Sequence, residues 1–140
     1  MKLELMSFTP HLEEIIATAV LTTTTGSAPS KIIQRLSKNP EKVRQVLEGL
    51  QLQHGSVLEH NRINWLMEAS SNEVLDLLLV SMFLRATKLR DEFWLLSANL
   101  RTVVEVVTSE RGPLRDAMLE SMKAFAPTMF GCVGGNRDES

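Results

Sequence analysis

The sequence predicts an α+β fold, mostly helical, in which a small antiparallel sheet packs with about five or six helices. Three observations lead there. Two short stretches, residues 2–8 and 61–69, alternate apolar and polar side chains with the period of a half-buried strand. Most of the remaining chain repeats its apolar residues at helical spacing. No internal repeat or low-complexity linker interrupts the chain, so residues 1–140 read as one domain, with 133–140 a frayed polar tail.

Each element has its own signal. In the first strand Leu3 and Leu5 face one way, Lys2 and Glu4 the other. Thr9-Pro10 predicts a helix start, a capping hydroxyl followed by proline where its missing N–H costs nothing. Leu12, Ile15, Ile16 and Ala19 continue that helix until the threonines at 22–25 and Gly26 weaken it. A short amphipathic segment over 27–36 carries Ile32, Ile33 and Leu36. Asn39-Pro40-Glu41 then opens a helix whose buried stripe is Val43, Val46, Leu47 and Leu50.

Ile63, Trp65 and Met67 alternate with Asn64 and Glu68 to mark the second strand. From Asn72 to Val107 the apolar spacing is helical throughout, which predicts a long helix broken near Thr87–Asp91, with Asp91 capping its second half. Val74–Val80 is apolar nearly all round, which argues for burial on several sides. Gly112-Pro113 punctuates, and Leu114, Ala117, Met118, Ser121 and Phe125 trace a last helix ending near Pro127. Two strands alone make a weak sheet, and so apolar a helical surface invites self-association.

Composition narrows the function classes. Apolar residues make up 44% and charged residues 23%, with a formal charge of −2, so there is no basic face for nucleic acid. The lone Cys132 cannot form an internal disulfide, no apolar run is long enough to span a membrane, and MKLELMSF lacks the core of a signal peptide. A cytoplasmic protein is the expectation.

The chemistry-bearing stretch is His54-Gly-Ser-Val-Leu-Glu-His60. Ser56 and Glu59 fit a capping box, with Gly55 easing the turn into a helix. Zinc is disfavoured by the spacing of His54 and His60, and neither GxSxG nor a phosphate-loop motif is present. No catalytic residue and no metal ligand is identified on these grounds.

HGSVLEH nevertheless resembles the G-H-x-S-x-x-E-H segment of the flavin-dependent thymidylate synthases (the ThyX family). Phe93-Trp-Leu-Leu-Ser-Ala-Asn-Leu-Arg101 resembles that family's F-x-x-T-x-N-L-R stretch, and Leu114–Phe130 its terminal helix. The resemblance covers most of the chain in the right order. It implies an FAD pocket formed by His54, Ser56, Glu59, Asn99 and Arg101, a nucleotide or flavin ligand, and a homotetramer with sites shared between subunits.

The family's R-H-R signature and the serine- and arginine-rich stretch after it, which hold the dUMP phosphate, have no counterpart here. Arg85 and Arg90 match a further family arginine only out of register, and Glu110 stands where another would lie. Thymidylate synthase activity is therefore not expected, although flavin-dependent methyl transfer or oxidoreduction would be the chemistry of any surviving site. The alternative is a non-catalytic homo-oligomeric interaction protein with a vestigial site.

Overall fold

Ile63, Trp65 and Met67 are each 0% exposed, and the molecule is arranged around the strand that carries them. The computed structural model describes residues 1–50 and 55–134. In chain order its elements are β1 (Lys2–Phe8), α1 (Leu12–Thr25), α2 (Pro29–Ser37), α3 (Pro40–Glu48) and a 3-10 turn (Gly55–Glu59). There follow β2 (Ile63–Glu68), α4 (Ser71–Val80), β3 (Arg85–Arg90), β4 (Phe93–Ala98), α5 (Leu100–Ser109), α6 (Pro113–Phe125) and α7 (Pro127–Gly134). The fold is α+β as expected, with four antiparallel strands in the order β1-β2-β4-β3.

Both expected strands form, and they pair with each other, Leu3 opposite Met67 and Leu5 opposite Trp65. This face of the sheet receives α6. Trp65 meets Phe125 edge-on at 6.2 Å between ring centroids, a favourable aromatic geometry, and donates its indole N–H to the Ser121 hydroxyl at 3.2 Å. Helix α5 buries Leu100, Val103, Val106 and Val107 against the same core. On the opposite face, Asn64 donates to the Ser7 hydroxyl and accepts from that of Ser97, a polar ladder across three strands.

The long helix expected over 72–107 does not form. Helix α4 stops at Val80, and β3 and β4 make a hairpin across the predicted helix break. Arg90 pairs with Phe93, leaving Asp91-Glu92 as a two-residue turn in which Asp91 adopts a left-handed φ of 44°. Aspartate tolerates that conformation better than most residues, so its role is a turn and not a helix cap. Phe93-Trp-Leu-Leu is apolar on both faces because the strand sits beside the central β2, and such a run has no period that separates strand from helix.

Other boundaries also differ. Helix α1 begins at Leu12, preceded by His11 in the left-handed region at φ 55°. The Thr9 hydroxyl instead accepts from the Arg62 backbone N–H at 2.8 Å, clamping the end of β1 to the start of β2. The helix ends as predicted, on Gly26 at φ 68°. Asn39 caps α3 by accepting from the Lys42 N–H, and Val43 and Leu47 are buried. At the far end Met129 and Val133 of α7 belong to the core, so the chain is still packed at 133, where a frayed tail was expected. Residues 135–140 of that tail lie outside the described residues.

Candidate functional site

Four of the five predicted flavin residues, Ser56, Glu59, Asn99 and Arg101, fall where the 3-10 turn meets the start of α5. Leu58, 1% exposed, pins the turn into the core and leaves Ser56 and Glu59 on the surface. Asn61, which sequence reasoning passed over, ties the two elements together. Its amide donates to the Leu58 carbonyl at 2.9 Å and accepts from the Leu100 backbone N–H at 2.7 Å. Its signal was available, since a short amide side chain between a turn and a strand commonly satisfies loose backbone groups.

Asn99 does not lie within a helix, where the long helix expected over 72–107 would place it. It is the N-cap of α5, its side-chain oxygen accepting from the Thr102 N–H at 2.9 Å. Two backbone N–H groups at this helix N-terminus, the feature that would favour a phosphate, are thus taken by Asn61 and Asn99. Arg101 is likewise engaged: Glu59 accepts from its Nη1 at 2.5 Å, and Glu105 lies 3.6 Å from its Nε. The i,i+4 Arg101–Glu105 pair follows from the helical spacing. Glu59 therefore spends its carboxylate on Arg101, and the capping box read at Ser56 and Glu59 occurs instead at Ser70 and Glu73.

The structure thus brings Glu59, Asn99 and Arg101 together, with Ser56 on the same short turn, while His54 lies outside the described residues. The described members, as arranged, do not present a pyrophosphate site within one chain. Two carboxylates beside the only guanidinium in the group oppose a pyrophosphate, and two of the backbone N–H groups at the helix start are already taken. No group of three or more potential metal ligands occurs among the described residues.

A second feature had no place in the sequence reading. Glu13 lies on the inward face of α1 beside Leu12 and Ile16, 7% exposed. Its carboxylate accepts from the backbone N–H groups of Thr128 at 3.2 Å and Met129 at 3.3 Å, in the first turn of α7. Burial raises its pKa above the ordinary carboxylate value, against the opposing pull of those backbone donors. It borders a cleft of about 330 Å³ whose wall includes Phe8, His11 and Phe125. A glutamate inside an apolar stripe is the signal that identifies it.

A scan against protein families and a search of curated proteins found no match to this chain.

Proposed function

We propose that this chain is a divergent relative of the flavin-dependent thymidylate synthases that has lost the parent reaction and works as a non-catalytic, self-associating interaction protein. The observation that carries this reading is the engagement of Arg101 by Glu59 and Glu105 while Asn99 caps α5. Of the residues that would face a flavin, Asn99 here serves as the cap of α5 and Arg101 is paired with two carboxylates. Sequence supports the same conclusion from another side, because the arginines that would neutralise a nucleotide phosphate are absent. Catalysis of methyl transfer depends on that charge placement and on holding the pyrimidine in register. Expression in thymidine-requiring cells tests the reading directly: no growth without thymidine is expected, and rescue of growth would overturn it.

A flavin or nucleotide site completed between chains is the second reading. Its support is that Ser56, Glu59 and Arg101 are all open to solvent near one another, so that a neighbouring chain could supply the missing cations. Flavin bound with a stoichiometry tied to the oligomer would favour it.

A further inference from the structure

From Ile15 to Pro40 the sequence carries no acidic residue, while Lys31, Arg35 and Lys38 fall within that stretch and Lys42 follows it. A net charge of −2 conceals this local excess of cations. Lys31, Arg35 and Lys38 stand at i, i+4 and i+7, which sets them on one face of α2 and its C-cap. Lys42 lies in the first turn of α3, and all four are exposed. Among the described residues none of the four has an ion-pair partner. The acids of α3 do not serve them, because Glu41 and Glu48 both flank Arg44.

Such a charged face is ordinarily just solvated, but this one borders two clefts. The first, of about 230 Å³, opens where the end of α1 meets α2 and α3. Leu21, Ile32 and Leu36 form its apolar wall, and Arg35 and Lys42 are its charged members. Thr25 donates its hydroxyl to the Leu21 carbonyl at 2.9 Å, which leaves Ser27 as the hydroxyl donor of this cleft. The second, of about 280 Å³, is walled by Lys31, Gln34, Arg35 and Lys38, so Arg35 belongs to both. Among the described residues neither wall includes an acid or an aromatic side chain.

We infer that the corner between α1, α2 and α3 binds a phosphate monoester that carries a short aliphatic chain. Such an ester holds about two negative charges near neutral pH and can engage Arg35 and Lys42 together. Arginine offers it a fork of donors and lysine a point charge. The aliphatic chain covers the apolar wall and gains by leaving water. The first cleft lies below the range that suits drug-sized ligands, about 300–1,000 Å³, so it selects a small molecule. The bases of a nucleic acid would find no aromatic ring on either wall to stack against. A bilayer would meet the cations alone, because α2 keeps Ile32 and Leu36 against the core and cannot insert them.

Amide-resolved NMR titration of the full chain with n-butyl phosphate tests the inference. Expected is saturable binding with shifts centred on Leu21, Thr25, Ile32 and Lys42, weakened about tenfold in Arg35→Gln and in Lys42→Gln. Arg44→Gln, which alters a cation outside both walls, should bind as the wild type does. Inorganic phosphate should bind roughly tenfold more weakly than the ester, because it leaves the apolar wall uncovered. The substituted positions are exposed, and the amide spectrum itself shows that each variant is folded. No saturation, shifts centred elsewhere in the chain, or an affinity indifferent to both substitutions in the cleft would overturn the inference. So would inorganic phosphate that binds as tightly as the ester. A protein that ignores butyl phosphate but sediments with phosphatidic acid vesicles, and ceases to do so in Arg35→Gln, would overturn it in favour of a membrane-facing patch.

Discussion

Replacing Asn99 by alanine separates a structural cap from a ligand-binding amide. In the structure the Asn99 side chain accepts from the Thr102 N–H at 2.9 Å, and Thr102 is 1% exposed. Losing an N-cap costs about 0.5–2 kcal/mol. Here water cannot readily replace the lost acceptor, which places the cost near the upper end, about 2 kcal/mol. For a chain of this length that corresponds to a fall of roughly 6 °C in Tm. Asn99→Asp and Asn99→Ser keep an oxygen acceptor and should melt close to wild type. Arg101→Ala removes two half-exposed ion pairs and should cost only about 0–1 kcal/mol. Thermal unfolding followed by circular dichroism reads all four variants. An Asn99→Ala protein that melts with the wild type would refute the assignment of this residue to the fold.

Three further outcomes are expected. Glu13 has a folded-state pKa raised above 4.5, so its contribution is fully present below the unfolded value and lost as pH rises through the raised one. Glu13→Gln does not titrate, so denaturant melts should show wild-type stability declining relative to the variant across the pH range just above 4.5; parallel curves would contradict the shift. Gly112 sits at φ 120° and ψ −175°, a region open essentially to glycine alone, so Gly112→Ala should lose about 1–3 kcal/mol to strain although nothing crowds the added carbon. An unchanged Tm would show that the loop relaxes. Ser121→Ala leaves the indole N–H of Trp65, a residue 0% exposed, without its acceptor and should cost about 1–3 kcal/mol in urea unfolding, where no loss would mean that the bond contributes little.

Much of the fold was legible because single physical signals fixed it. Ile63, Trp65 and Met67 could bury together only on a strand, and Asn39-Pro40 and Gly26 set helix ends by capping and by a left-handed φ. The β3–β4 hairpin was hidden because Phe93–Leu96 is apolar on both faces, and a run without polar gaps imitates a helix stripe. Thr9 misled in a different way: a hydroxyl before proline reads as a cap, yet it satisfies Arg62, distant in sequence. At the site, the Arg101–Glu105 pair followed from spacing on one helix. The Arg101–Glu59 and Asn61–Leu100 contacts join residues far apart in the chain, and only the packing of the 3-10 turn on α5 reveals them.

Titration of the purified protein with FAD, followed by flavin fluorescence, tests most directly whether these side chains have been given over to the fold. No saturable binding is expected, and Arg101→Ala should leave the trace unchanged. Saturable binding that disappears in Arg101→Ala while the variant keeps its Tm would contradict that conclusion and show that the pocket still works.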